Sequence, residues 1–308
     1  MLQIWHKLVI ITTKISEYIG GLTIEGVIIK GIGGQYTIDT ISGQYICNAR
    51  GIFRKQKITP IIGDRVHIAP GANQTGTLTN IMPRINKLQR PKVSNVDQVL
   101  IVLAAAKPAL HFAMLDRYLM QMEYEKIEGA ICINKIDLDR DISRKVSDVY
   151  EPAGYPVFPV SVNDNVGFET LKKFLQSKTT VLAGLSGVGK SSIINKLTSG
   201  AASLATGVIS ERIGRGKHTT RHTEFIPLGS LGYIIDTPGF SSIDYPDIPM
   251  IKRAALFKEF RPLLGQCKFR DCLHLSEQDC AVKEQVGISI NPERYARYLE
   301  WICNKCHN

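Results

Sequence analysis

No apolar run among the 308 residues approaches the ~18–20 that a bilayer-spanning helix needs. Leu8-Val9-Ile10-Ile11, after Lys7, is too short for a signal-peptide core, and no clear small-residue cleavage site follows it. No basic amphipathic helix or lipidation signal is present either, so a role on a membrane surface has only the charge to motivate it. A cytoplasmic protein is expected, with no membrane partner. Acidic residues are the scarcer charge: 28 Asp and Glu stand against 38 Lys and Arg, a formal net charge of +10 that suits a large anionic partner. Aromatics make up only 7%, and no aromatic RNA-stacking motif of the ribonucleoprotein type occurs. Wholesale disorder is excluded by the apolar content of 44%. The seven cysteines are an odd number, and three of them cluster with a histidine, which argues against a disulfide framework.

What is present falls into segments. Residues 1–22 carry no clear pattern and read as an extension. From Ile24 the texture becomes β, with short strands expected over Ile24 to Ile32, Gln35 to Ile41, Gln44 to Ala49, Arg65 to Ala69 and Gly76 to Ile81. Five such strands suggest an OB-type barrel over residues 23–86. Arg50, Arg54, Lys55 and Lys57, with Phe53 and Tyr45 nearby, suggest RNA contact; a solvated basic loop is the plainer alternative. Lys87 to Lys92 reads as a basic linker. Apolar strands then alternate with helical patterns over residues 92–248, as in a parallel α/β sheet. Residues 249–308 turn helical and cysteine-rich.

The chain is organised around Gly184-Leu185-Ser186-Gly187-Val188-Gly189-Lys190-Ser191, between an apolar strand and a helical pattern that opens at Ser192. This is a phosphate-binding loop in the context such loops require. Backbone N–H groups from Gly184 to Ser192 can curl around phosphate oxygens at a helix N-terminus. Lys190 supplies a full charge to the β/γ-phosphates, and the Ser191 hydroxyl can ligate Mg²⁺. Asn134-Lys135-x-Asp137, after a buried strand, matches a guanine-reading motif. Its Asp accepts two hydrogen bonds from guanine that adenine cannot offer, while Asn134 can brace the loop or contact the base. Ser161, at the next strand end, suits the loop that closes on the base.

Asp236-Thr237-Pro238-Gly239 follows another strand. It supplies a carboxylate that acts on Mg²⁺ through water and a glycine, Gly239, whose N–H can sense the γ-phosphate. The preceding glycine-rich basic stretch, Gly214 to His222, offers a threonine for Mg²⁺, with Thr220 preferred over Thr219. Phe240 stands where many GTPases place a water-orienting glutamine. His218 is the in-chain candidate for that function, and slow intrinsic turnover is expected. In an ordinary GTPase the phosphate loop comes first; here the base-reading motif and the serine loop precede it. The order is circularly permuted, and the sheet can still assemble because neighbouring strands pair whichever connection is cut.

Cys267-x4-Cys272-x-His274-x5-Cys280 supplies three thiolates and an imidazole, a closed donor set suited to structural Zn²⁺. The terminal Cys303-x-x-Cys306 reads as free thiols.

Together with Arg90-Pro91, Asn95-Val96-Asp97-Gln98 and Leu115-Asp116-Arg117-Tyr118-Leu119, these motifs resemble the RsgA (YjeQ/YloQ) family of circularly permuted GTPases. The resemblance covers residues 24 to about 300. It implies an OB domain, a permuted GTPase domain and a zinc-binding helical domain, with GTP hydrolysis stimulated by the small ribosomal subunit and its rRNA during late subunit maturation. It places the zinc ligands on Cys267, Cys272, His274 and Cys280 and the hydrolytic histidine on His218. A monomer is expected. The rival from another class is a non-catalytic RNA-binding scaffold that retains a nucleotide pocket; intact Lys190, Ser191 and Asp236 argue against it.

Overall fold

A computed structural model describes residues 23–89, 91–201, 224–229, 232–236 and 245–304. The extension 1–22, the basic loop with His218 and Thr220, Gly239 and Cys306 lie outside the described residues. The chain divides into two compact units, one running to Val96 and taking in residues 224–226, the other made of the remaining residues from Asp97.

In the first unit, β1 (Ile24–Ile32), β2 (Gln35–Thr40), β3 (Gly43–Ala49), β4 (Arg65–Pro70) and β5 (Thr75–Ile81) close into a barrel in the order β1-β2-β3-β5-β4. Closure leaves no open sheet edge. Ile28, Ile38, Cys47, Val66, Ile68 and Leu78 turn inward and are buried. Each buried aliphatic chain of this kind contributes about 1.5–3 kcal/mol relative to exposure. A short helix, α1 (Gly51–Lys55), follows β3, and its Phe53 joins the same core at 5% exposure. Phe53 is therefore packing rather than a base-stacking ring, and Tyr45 also packs against this core. Arg54, Lys55 and Lys57 remain exposed around it. The expected linker contains a small antiparallel pair, β6 (Lys87–Leu88) with β7 (Val93–Ser94). Asp64, fully buried, is satisfied by Arg84 Nε at 2.6 Å, Ser94 Oγ at 2.7 Å and the Ile61 N–H at 2.8 Å.

The second unit opens with β8 (Gln98–Ala104), α2 (Phe112–Glu125), β9 (Glu128–Asn134), α3 (Arg140–Tyr150) and β10 (Val157–Pro159). It continues with α4 (Phe168–Leu175), β11 (Lys178–Ala183), α5 (Lys190–Ala201) and β13 (Gly232–Asp236), while β12 (Glu224–Pro227) belongs mostly to the first unit. The sheet order is β10-β9-β8-β11-β13-β12. From β10 to β13 every adjacent pair is parallel. All seven residues of β8 are buried, as expected for a strand covered on both faces. Its one polar member, Gln98, accepts from Lys178 Nζ and donates to Thr180 Oγ1, each at 2.9 Å. Helix starts follow local chemistry: Asp139 caps α3 by accepting from the N–H groups of Asp141 and Ile142.

Beyond β13 come α6 (Met250–Arg253), two 3₁₀ segments (Ala254–Leu256 and Lys258–Leu263), α7 (Ala281–Glu284) and α8 (Pro292–Asn304). Pro292 opens α8, where its missing N–H costs nothing, and Asn291 Oδ1 accepts from the Glu293 N–H. Phe257, Phe260, Tyr298, Trp301 and Ile302 form a core with Met120 of α2. The aromatic spacing of α8 is thus packing, in agreement with its helical period. No described helix is long and apolar enough to cross a membrane.

Candidate active site and metal centre

Four strands deliver chemistry to one edge of the parallel sheet. β9 ends in Asn134, β10 leads to Ser161, β11 runs into Gly184 and β13 ends in Asp236. Because these strands share one direction, their carboxyl ends lie together, where α/β sheets place ligands. Leu182 is in register with Asp236, so the acid at the end of β13 sits beside the strand that enters the loop.

The loop's conformation depends on glycine at two points. Gly184 has φ +130°, and a Cβ there would lie 2.2 Å from the Val102 carbonyl oxygen; Gly189 has φ +98°, and a Cβ would lie 2.2 Å from Asn134 Nδ2. Asn134 fills that space for a reason: its Nδ2 donates to the Val188 carbonyl at 3.0 Å, and its Oδ1 accepts from the Lys135 N–H at 2.8 Å. Of the two roles left open for Asn134, the geometry supports bracing the loop. Lys135 Nζ donates to the Gly187 carbonyl at 2.8 Å and to the Lys107 carbonyl at 2.7 Å, a second tie between the base-reading motif and the phosphate loop. Lys190 Nζ lies inside the loop, donating to the Gly184 and Leu185 carbonyls at 2.8 Å each. Burial lowers its pKa, and the charge of Asp236 opposes that shift. Phosphate oxygens would replace these carbonyls as partners of the ammonium. Ser191 and Ser192 stand exposed at the start of α5, where N–H groups and the helix dipole favour an anion.

Asp137 is prepared as an acceptor. Ser161 Oγ donates to Oδ1 at 2.7 Å and Asn163 Nδ2 to Oδ2 at 3.2 Å. The Ser161 bond is the main cause that holds the Asp137 pKa below its usual value, helped by the Asn163 bond and by the charge of Lys135. Each carboxylate oxygen keeps a lone pair for a further donor. Ser161 Oγ also accepts from the Asp164 N–H at 3.0 Å, which orients the loop after β10. The spacing of motifs along the chain could not single out Asn163.

The four residues expected as metal ligands converge. Cys267, Cys272, His274 and Cys280 place their ligand atoms within 4.8 Å of one another. His274 Nδ1 lies 3.5 Å from the sulfurs of Cys267 and Cys272 and 3.4 Å from that of Cys280, and Cys267 and Cys280 sulfurs are 3.8 Å apart. A tetrahedron with metal–sulfur bonds of about 2.3 Å and metal–nitrogen bonds of about 2.0 Å has edges of about 3.8 Å and 3.5 Å, so the donor set fits Zn²⁺. Burial pushes the Cys272 thiol up to about 12, so without a cation it keeps its proton, which a bound metal ion would displace. The surrounding groups hold the ligand loop. Glu277 accepts from the N–H groups of Leu273 and Leu275 at 2.7 Å each, and the hydroxyls of Tyr295 and Tyr298 donate to the carbonyls of His274 and Leu273, also at 2.7 Å.

A further cluster was not visible as such in the sequence. Asp116 of α2 accepts from Tyr150 at 2.7 Å, from Arg294 at 2.6 Å and from Arg297. Arg294 also pairs with Glu259 at 2.5 Å, and both Asp116 and Arg294 are 1% exposed. Tyr118 of the same motif is fully buried. Only the family resemblance marked Asp116; no local spacing announces partners 178 and 181 positions away.

Residues 81–246 match the family model for the RsgA GTPase, and residues 25–78 match that for the RsgA N-terminal domain. The small ribosomal subunit biogenesis GTPase RsgA of Alkaliphilus metalliredigens is 42% identical over 282 residues, which cover 90% of this chain and 96% of that protein. The protein of the same name from Bacillus velezensis is 44% identical, covering 90% of this chain and 96% of its own length. Among solved structures, YjeQ from Thermotoga maritima aligns with a TM-score of 0.78 at 32% identity, covering 93% of this chain and all of that one. YloQ, described as a circularly permuted GTPase, aligns with a TM-score of 0.75 at 37% identity, covering 92% and 94%.

Proposed function

The chain belongs to the RsgA GTPase family, and on that premise we propose that it hydrolyses GTP in late maturation of the small ribosomal subunit. One observation carries this reading. A carboxylate held ionised by Ser161, Asp137, stands in the same motif as Asn134 and Lys135, which are bonded to a glycine-braced phosphate loop. Asp137 reads the guanine N1–H and exocyclic amine. Lys190 and the N–H groups of Gly184 to Ser192 hold the phosphates. Ser191, Thr220 and Asp236 would hold Mg²⁺, the last through water, and the ion would supply charge neutralisation for the phosphates. Gly239 senses the γ-phosphate and His218 orients the attacking water. The barrel and its exposed Arg54, Lys55 and Lys57 contact rRNA, and Zn²⁺ staples residues 267–280. The chain acts in the cytoplasm as a monomer with three functional segments: 23–86, 92–248 and 249–308.

GTP binding favours a subunit-bound state and hydrolysis releases it. The test is phosphate release from GTP with and without purified small subunits. Slow turnover that the subunits raise strongly is the expected result. No stimulation at modest salt would overturn the partner assignment, and no turnover in either condition would favour a non-catalytic scaffold. His218→Ala is expected to lower kcat with little change in GDP affinity.

A further inference from the structure

The phosphate loop rests on a turn that is held from the far end of the chain. That turn, residues 105–111, joins β8 to α2. Its Lys107 carbonyl shares the Lys135 ammonium with the Gly187 carbonyl of the loop. The nearest atom to a side chain built on Gly187 would be Pro108 Cδ, at 3.9 Å. Pro108, Leu110, His111 and Met114 line a small cavity with Leu185 and Val188, so turn and loop pack directly.

The first turns of α2, just beyond, are held by α8. Arg297 stacks its guanidinium over the Phe112 ring at 5.3 Å and donates to the carboxylate of Asp116, one helical turn further on. Phe112 also stacks on Tyr150 at 6.3 Å, and Tyr150 donates to the same Asp116. Arg294 shares Asp116 but is anchored independently on Glu259. Tyr150 and Arg297 each touch both Phe112 and Asp116; Arg297 is the one that reaches them from α8, and it is only 13% exposed.

We propose that Arg297 is a positioning residue for the nucleotide site: by gripping Phe112 and Asp116 it sets the 105–111 turn on which Gly187 and Lys135 rest. The inference builds on the assignment of that site to a guanine nucleotide. It makes the C-terminal helix part of the apparatus that shapes the phosphate loop, through a contiguous set of packed and hydrogen-bonded groups.

The test uses the full chain with Arg297→Met, which keeps an apolar stem, and Arg297→Lys, which keeps the cation. A fluorescent GDP analogue reports affinity, steady-state GTP turnover separates kcat from KM, and Tm is recorded beside them. Arg297→Met is expected to weaken GDP binding and raise KM about three- to tenfold at temperatures well below its Tm. Arg297→Lys is expected to recover most of that loss. Amide exchange over residues 107–111 and 186–189 should quicken in Arg297→Met alone. A lowered Tm with unchanged affinity, KM and exchange would overturn the proposal and leave Arg297 a structural clamp. If Arg297→Met fails to fold, Phe112→Leu removes the stacking surface while keeping the Asp116 network, and the same readings decide. A wild-type chain that binds no guanine nucleotide would overturn both this and the functional assignment; unchanged affinity in the variants overturns this one only.

Discussion

Asp137 is the residue on which base choice turns. Its two oxygens meet Ser161 and Asn163 and still have capacity to accept from guanine. Asp137→Asn replaces one acceptor by a donor that faces the guanine exocyclic amine, while the remaining oxygen can still accept from N1–H. GTP affinity is expected to fall about tenfold to a hundredfold, while xanthosine triphosphate, which offers an acceptor at the exocyclic position, binds as well or better. Competition between the two nucleotides measures this, and unchanged GTP affinity would sink the assignment. The same geometry has a pH consequence. The folded-state pKa of Asp137 lies below its usual value. The acceptor form therefore persists as pH falls through the ordinary carboxylate range and is lost only below its own lowered pKa. Asp137 and Lys190 were legible as letters in a motif. That Lys190 rests on the Gly184 and Leu185 carbonyls, or that Asn134 braces Val188, was not, because those bonds depend on where one loop passes another.

Among the elements, strand and helix positions followed periodicity closely. All five barrel strands appear where alternation placed them, with ends shifted by no more than one residue, and the apolar strands beyond residue 92 alternate with helices as expected. Phe53 shows where composition misleads. Its basic neighbours suggested RNA contact, yet the ring fills the barrel core because apolar burial outweighs local company. Apart from α8 the C-terminal elements are short, and two staples are expected to hold them. For the first, chelation or Cys272→Ser is expected to release bound zinc and lower Tm, as read by metal analysis and thermal denaturation. For the second, Asp116→Ala would leave Arg294 buried with Glu259 alone and Arg297 with only Glu293, at 3.7 Å. That change is expected to cost about 3–5 kcal/mol in urea denaturation.

For the molecule as a whole, the net charge of +10 and the exposed Arg54, Lys55 and Lys57 frame the partner prediction. Replacing these three with serine is expected to weaken binding to small subunits. The slope of log affinity against log salt should shrink by about one for each phosphate that is no longer neutralised. Sedimentation with purified subunits over a salt series measures both, and an unchanged slope would move the rRNA contact elsewhere. The motifs, their permuted order and the metal-ligand spacing were all readable from the amino-acid sequence, since each depends on residue types at short separations. Which long-range partners meet was decided only on folding. Asp116 finds Arg294 and Arg297, and Arg297 finds Phe112, because two helices distant in the chain pack along one face. Local spacing carries the chemistry of a site. The buried charges and rings that hold it in place are selected by three-dimensional neighbours, and no short window of sequence contains them.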